Sequence, residues 1–352
     1  MKKLFILIIM FAGLISCDSN NNDLFTENYV TVSRFKKEKQ LEARVLIDEA
    51  YGYDVIGRVD GYLVLFSTQR EYFFYVYNLI GDSLGGFGVR GQGPADLTGN
   101  GWCGQTYGNS MWINDVNRAR MCAVNVEQSL AEKQCVFDTA IRSVNFSVNS
   151  FVLNDSIMLN EQMKGDNYYF LTTNFKTEEA KEEKVYKYPV DRRVFNTYKS
   201  RWRLKPDCSK MASAMHSNSM INILDIGTKE RKSIITGRES IKIENIVDPT
   251  TGHENRTYYA TLDVTDNYIY ALYMNQNHNE AYNVEKEMEI HVFDWQGTPV
   301  CKYTVPQYIW SIAVDENIGH IYAFSPMLEQ VYVYEIEQLN IDHEIEELNI
   351  DF

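Results

Sequence analysis

Along the last third of the chain, apolar and polar residues alternate in short runs separated by turn residues, and the arrangement recurs. Tyr259-Ala-Thr-Leu-Asp-Val264 alternates as a strand does, Asp266-Asn267 makes a turn, and Tyr268-Ile-Tyr-Ala-Leu-Tyr-Met274 is a second strand. Ile290-His-Val-Phe-Asp294 reads as a third strand, and Trp295-Gln-Gly297 turns the chain into Pro299-Val-Cys-Lys-Tyr-Thr-Val305. The pattern then restarts with Ile312-Ala-Val314, a turn, His320-Ile-Tyr-Ala-Phe324 and Gln330-Val-Tyr-Val-Tyr-Glu335.

With the second strand of each unit as marker, six units begin at Tyr62, Met111, Ile157, Met211, Ile269 and Ile321, spaced by 49, 46, 54, 58 and 52 residues. Each marker follows residues that tolerate positive φ or bond their own backbone, such as Asp60-Gly61, Gly108-Asn109 and Asn154-Asp155. A repeat of about 40–50 residues made of short strands is the signature of propeller blades. The expectation is an all-β domain over residues 29–336: a six-bladed β-propeller with four-stranded antiparallel blades. The last unit supplies only three strands, ending near Glu335, while Glu42-Ala-Arg-Val-Leu-Ile47 has a strand pattern and no partner. Pairing the two would close the ring and hide two free edges, so this N-terminal strand is predicted to complete the sixth blade. Three stretches depart from the repeat. The charged run Thr177 to Lys187 reads as an exposed loop or short helix. Arg238 to Thr257 is an insertion before the fifth unit, and 337–352 is an acidic tail containing a small duplication.

Residues 1–16 change the picture from a plain soluble domain. Met1-Lys-Lys3 is basic and Leu4 to Ile15 is apolar, a secretory leader too short for a folded membrane span. Leu14-Ile-Ser-Cys17 resembles the bacterial lipobox, which implies acylation of Cys17, anchorage to the outer membrane facing the periplasm or the surface, and a flexible tether over residues 17–28. Buried acyl chains at about 0.8 kcal/mol per CH₂ make such an anchor lasting. The net charge of −14 becomes −16 without Lys2 and Lys3, which excludes nucleic acid as a partner and leaves the lipid as the sole membrane contact. The 45% apolar and 13% aromatic content, with 24 tyrosines, suits half-buried pleated surfaces. Five further cysteines, Cys103, Cys122, Cys135, Cys208 and Cys301, show no metal-ligand spacing. Cys122 and Cys135 flank a plausible hairpin and are the one pair worth testing for a disulfide, the alternative being small buried hydrophobes.

Gly85-Gly-Phe-Gly-Val-Arg-Gly-Gln-Gly-Pro94 suggests a phosphate loop, but no Lys-Ser/Thr ends it and no helix pattern follows, so it reads as a tight crossover between the first two blades. Its Gly88-Val-Arg-Gly-Gln-Gly-Pro94 segment resembles the Gly-rich signature of TolB-like six-bladed propeller lipoproteins of Bacteroides and relatives. Leu204-Lys-Pro-Asp-Cys-Ser-Lys-Met-Ala212 is similar to a turn in that group's fourth blade. The likeness spans roughly Val30 to Ile336 and departs at Ala95-Asp96, where Gly-Glu is usual, and at Cys208, where Gly is usual. It implies an exported, non-catalytic propeller and transfers no catalytic residues.

Catalytic patterns are sparse: there is no Gly-x-Ser-x-Gly elbow and no His-Glu-x-x-His, and the six histidines are scattered, His291 reading as a satisfied strand residue. No cofactor is expected. The alternative is a calcium-dependent propeller hydrolase or lactonase, with hard oxygen ligands converging from several blades. In a propeller, second-to-third-strand loops and inter-blade connections share one face. Here they carry Arg90, Gln92, Asn114, Asp115, Arg118, Gln162, His216, Asn218, Asn275 and His278, a set rich in amides and imidazoles that suits hydrogen bonding to a ligand. The protein is therefore expected to be a monomeric, lipid-anchored binding or scaffold module for a peptide, protein or glycan at the cell envelope.

Overall fold

The computed structural model describes residues 29–142, 147, 149–164, 167–187, 200–237, 256–277, 280 and 286–339. The leader, Cys17, the tether 17–28, most of the insertion (238–255), His278 and the tail beyond 339 lie outside them.

The described chain opens with β1 (Tyr29–Val32), β2 (Lys37–Gln40) and β3 (Ala43–Ile47), and then enters the blades. Blade 1 comprises β4 (Val55–Val59), β5 (Tyr62–Phe66), β6 (Phe74–Asn78) and β7 (Ser83–Phe87). Blade 2 has β8 (Asn100–Tyr107), β9 (Ser110–Asp115), β10 (Arg120–Asn125) and β11 (Phe137–Arg142), with helix α1 (Val126–Glu132) between its last two strands. Blade 3 has β12 (Ser150–Val152), β13 (Ile157–Lys164), β14 (Asn167–Asn174) and β15 (Ala180–Lys187). Blade 4 runs β16 (Ser200–Leu204), β17 (Lys210–Met215), β18 (Met220–Asp225) and β19 (Arg231–Thr236). Blade 5 runs β20 (Arg256–Val264), β21 (Tyr268–Asn277), β22 (Met288–Asp294) and β23 (Pro299–Val305). Blade 6 takes β24 (Ser311–Asp315), β25 (His320–Ser325) and β26 (Gln330–Glu335). All six sequence markers fall in the second strand of a blade.

Turn chemistry sets the breaks. Asp60 adopts φ +47° and Gly108 φ +53°, while the Asn154 side-chain oxygen accepts from the Ser156 and Ile157 amides at 3.0 Å each. Asp207 does the same for the Ser209 amide at 2.8 Å. Cys208, standing where the resembling motif has Gly, takes φ +59°, a left-handed conformation that costs a side chain about 1–2 kcal/mol. Between the turns the inner strands are buried on both faces: all six residues of β9 are buried, as are five of six in β25. The core is accordingly a ring of layers between neighbouring sheets. One cluster joins blades 1 and 2 through Phe74, Phe87, Met111 and Ile113, and another joins blades 5 and 6 through Tyr303, Ile290, Ile321 and Tyr334. Cys122 and Cys135 are free buried thiols in the first of these clusters, their pKa values pushed up by burial to about 11 and about 12.

The ring closes as expected. β3 pairs antiparallel with β26, Ala43 opposite Tyr334 and Ile47 opposite Val331, and supplies the fourth strand of blade 6. Two further strands were not expected. β1 lies parallel on β19, and β2 parallel on β23, so blades 4 and 5 have five strands each. The first described residues thus form a strap over three consecutive blades. Phe35, between β1 and β2, packs on His291 (ring centroids 4.8 Å) and Phe293 (5.5 Å). Lys302 bridges Glu38 of the strap at 3.0 Å and Glu289 at 3.5 Å. Under the strap, His291 Nε2 donates to Glu289 at 2.7 Å, and its Nδ1 accepts from the Tyr259 hydroxyl at 3.0 Å. Burial holds this imidazole below its ordinary pKa.

One expectation is corrected. Ala180–Lys187, read as a loop or short helix, is β15, the outer strand of blade 3 in antiparallel register with β14. Its charges suit an edge strand, where Lys and Glu discourage further pairing; charge density masked the strand pattern. Residues 337–339, the start of the tail, lie against the ring, with the Leu339 carbonyl accepting from Tyr268 at 2.7 Å and Glu337 paired with Lys39.

Replacing Phe35 with Ala should lower stability by about 2–3 kcal/mol in urea unfolding, because a half-buried ring packed on β22 of blade 5 is lost. Amides of residues 29–40 should then exchange faster than those of β3; equal exchange would show that the strap does not depend on this ring. Glu161, on β13, accepts from Trp202 Nε1 of blade 4 at 3.1 Å and from Asn149, and burial raises its pKa from 4.5 to about 7. Below pH 4.5 the carboxyl is protonated in both states. Between pH 4.5 and about 7 only the unfolded chain releases the proton, so stability falls as pH rises through that window, by roughly 3 kcal/mol, and is level above it. Glu161→Gln should flatten this segment of the stability–pH curve measured by denaturant titration.

Candidate functional site

The first strands of the six blades sit side by side around the axis and line a cavity of about 650 Å³. Its lining reaches the first-to-second-strand turns through Asn154, Asp155, Lys205, Asp266, Asn267, Glu316 and Asn317. Among the described residues, no second-to-third-strand loop contributes to it.

Strand alternation aims charges inward. On β16, Arg201 and Arg203 face the cavity while Trp202, between them, is buried in the blade core. Arg58 on β4, Asp263 on β20 and Asp315 on β24 reach the same space. Arg58 Nε lies 2.7 Å from Asp315 Oδ2. Asp263 accepts from the Val314 amide at 2.8 Å; burial raises its pKa against the pull of Arg203, the backbone amides and Arg58. Desolvation lowers the Arg201 pKa, although the residue is exposed to the cavity, and the neighbouring Arg203 lowers it further. Nearer the turns, Glu316 accepts from Thr265 Oγ1 at 2.5 Å, Asn267 Nδ2 at 3.0 Å and Tyr270 at 3.0 Å.

Two glycines make room for side chains that cross from other blades. A Cβ on Gly57 would lie 1.5 Å from the Trp102 ring, and one on Gly104 would lie 2.3 Å from Arg203 Nε. Gly104 also holds φ +74°. Trp102 Nε1 is buried and has no acceptor among the described residues. The cavity therefore combines indole surface from Trp102 and Trp310 with arginine donors and carboxylate acceptors, a lining able to bind an amphipathic organic ligand. Among the described residues, no group of three or more His, Cys, Asp or Glu is placed to hold a metal ion.

The residues predicted from the sequence lie elsewhere. Arg90, Gln92, Asp115 and Arg118 gather about the crossover from blade 1 to blade 2. Asp115 is fully buried and accepts from Thr98 Oγ1 at 2.7 Å and Arg120 Nε at 2.8 Å. Arg118 donates to the carbonyls of Asp96, Gly91 and Gly93 at 3.0–3.3 Å. A Cβ on Gly91 would strike the Asp96 carboxylate at 2.1 Å, and the Gly93 amide donates to that carboxylate at 2.7 Å. The Gly-rich run is thus a braced crossover. Arg90 stacks over Phe73 at 4.9 Å, and Gln92 is exposed. Asn114 is buried at the end of β9, and Gln162 stands in β13. His216 and Asn218 belong to the blade 4 loop, where the His216 carbonyl accepts from the Tyr258 amide at 2.7 Å. Asn275, at φ +47°, receives Arg256 at 2.5 Å and Lys286 at 3.1 Å on its carbonyl. The structure does not bring these blades' loop residues into the cavity, and His278 lies outside the described residues.

Sequence reasoning missed Arg58, Trp102, Arg201, Arg203, Asp263 and Asp315. A signal existed: Arg201-x-Arg203 has strand spacing, and Asp263 and Asp315 each stand six residues before the second-strand markers Ile269 and Ile321. Second strands, chosen as markers for their apolar runs, carry none of these groups.

The profile of the TolB-like 6-blade propeller-like family matches residues 34–317. The crystal structure of a DUF4221-family member from Bacteroides vulgatus aligns with a TM-score of 0.58 at 13% identity, covering 85% of this chain and 97% of that one. A Bacteroides fragilis protein aligns with a TM-score of 0.49 at 13% identity over 88% and 100% of the two chains. At 13% identity the likeness to the Bacteroides vulgatus protein speaks for the fold alone. No curated protein matches the sequence.

Asp115→Ala should cost about 3–5 kcal/mol in chemical denaturation, because Arg120 is left as a buried charge without its carboxylate. A loss under 1 kcal/mol would show that the crossover is braced by other contacts.

Proposed function

The chain belongs to the TolB-like six-bladed propeller family, and from that premise we propose an exported, lipid-anchored binding module. In this reading its central channel takes up part of a peptide, protein or glycan and runs no reaction. The observation that carries the reading is the cavity itself. First strands from all six blades contribute to it, and its size falls within the roughly 300–1,000 Å³ usual for ligand sites. Its lining is built on strands, whose positions are fixed by packing on both sides, so the site is preorganised and little ordering is needed on binding. Asp263, Asp315 and Glu316 on its wall are engaged by an arginine, amides and hydroxyls, an arrangement suited to holding a ligand rather than to moving protons. The Glu289–His291–Tyr259 relay lies under the strap and contributes no residue to the channel lining.

Export and anchoring rest on the leader and on Cys17. The strap sets which face such an anchor would turn to the membrane. β1 runs parallel to β19, from the face bearing the first-to-second turns towards the opposite face, so Tyr29 enters on the side that the cavity lining reaches. The twelve residues from Cys17 to Tyr29 span at most about 40 Å when extended. A lipid on Cys17 would hold that face towards the bilayer.

In detergent phase partition, the wild-type chain should enter the detergent phase and Cys17→Ser the aqueous phase; equal partition would remove the anchor. The soluble Cys17→Ser protein should give hits on peptide or glycan arrays that disappear with Trp102→Ala. Hits that survive that change would move the site off the channel.

A further inference from the structure

The second-to-third-strand face of blade 1 carries a guanidinium set among tyrosine rings. Arg70, in the loop between β5 and β6, lies 4.3 Å from the ring centre of Tyr75, 4.6 Å from that of Tyr53 and 5.3 Å from that of Tyr51. Ser67 fixes the base of this loop. It is fully buried, accepts from the amides of Gln69 and Arg70 at 3.2 and 3.0 Å, and donates to the Gly52 carbonyl at 2.6 Å. Gly52, at φ +74°, lets the arginine stem close over the backbone; a Cβ there would lie 3.3 Å from Arg70 Cγ. None of these residues lines the channel.

Arg70 is held firmly yet uses little of its hydrogen-bonding capacity. One Nη donates to the Tyr51 carbonyl at 3.3 Å, and among the described residues no carboxylate pairs with it. The half-buried guanidinium keeps its other N–H groups open to solvent. The acids nearby fall into two sets. Asp54 accepts from the Thr68 amide at 2.6 Å, and Asp48 from Gln330 Nε2 at 2.8 Å. Glu49, Glu71 and Glu329 are exposed, and their carboxylates have no partner among the described residues. The Glu329 carbonyl accepts from the Ala50 amide at 2.5 Å, which brings that loop beside Glu49 and Tyr51. The Tyr51 ring is 55% exposed there.

We propose that this platform is a ligand site in its own right, separate from the channel, and that it takes a neutral glycan. An anion would approach Arg70 past Glu49, Glu71 and Glu329, and a cation would meet a guanidinium that its tyrosines hold in place. A neutral sugar meets neither penalty. Each hydroxyl can accept from Arg70 and donate to a glutamate, because a hydroxyl does both. The C–H face of a sugar ring carries the slight positive charge that the face of the Tyr51 ring attracts. Stacking holds the guanidinium plane before the ligand arrives, so little ordering is left for binding to impose.

The experiment uses the full chain carrying Cys17→Ser and an array of neutral hexasaccharides of glucose, mannose, galactose and xylose. Hexagalacturonate and hexalysine serve as charged probes, and hits are titrated by calorimetry up to about 10 mM. At least one neutral hexasaccharide should bind, about tenfold or more tightly than either charged probe. Tyr51→Ala removes an exposed ring and should weaken that binding at least about tenfold, with the Tm of the free protein unchanged to within about 2 °C. Arg70→Lys should weaken it too, since an ammonium lacks the planar fork. Arg201→Gln, in the channel, should leave it as it is. Binding that survives Tyr51→Ala or Arg70→Lys overturns the proposal, and in the second case a lowered Tm makes Arg70 a clasp on the segment that closes the ring. Binding lost with Arg201→Gln belongs to the channel and overturns it as well. So does tighter binding of either charged probe, or an array on which no neutral hexasaccharide binds.

Discussion

Each blade is a small sheet with two apolar faces, and everything else follows from the need to cover both. A single sheet of this kind would leave one face in water, so every blade requires a neighbour on each side. A linear stack always has two ends; a ring has none. Tyr259, Tyr270, Tyr303, Tyr322 and Tyr334 are among the largest fully buried side chains, and they lie in blades 5 and 6, where the chain ends must meet. β3 makes that meeting possible by placing a strand from the start of the domain beside one from its end. Blade 6 is therefore held together by residues nearly three hundred positions apart, and its formation commits the whole ring.

Closure also decides the electrostatics. Six first strands brought round one axis must project some side chains into a confined space, where charge is costly unless paired. Arg58 with Asp315 is an ion pair between strands of different blades, Arg203 acts on Asp263 through its charge across another such seam, and Trp102 reaches over Gly57 across a third. The channel is thus a set of contacts between neighbouring blades as well as a cavity.

The opposite face shows how polar loops can be informative and yet occupied with structure. Asp115, Arg118 and Arg120 form a bracket that holds the carbonyls and amides of the Gly-rich crossover, and Asp96 fills the space its glycines leave. These side chains have the chemistry of a binding site, but their hydrogen-bonding capacity is spent on the backbone of the loop. The strap shows a related point at the rim. Parallel backbone pairing, a wedge from Phe35 and the Glu38–Lys302 pair tie it down, while its own side chains remain largely exposed.

By itself, the sequence determined the architecture: turn residues at regular intervals and apolar second strands were enough for six units, their markers and the closing role of residues 43–47. Those features are local, because a turn depends on a few neighbouring φ angles and a buried strand on its own composition. The strap strands β1 and β2 and the charged edge strand β15 were beyond its reach, since edge pairing uses backbone groups that every residue possesses and leaves no side-chain pattern. The channel was decided by tertiary structure alone. Which charges arrive beside one another, as Arg58 does beside Asp315, depends on which first strands become neighbours, and that is a property of the closed ring rather than of any stretch of chain.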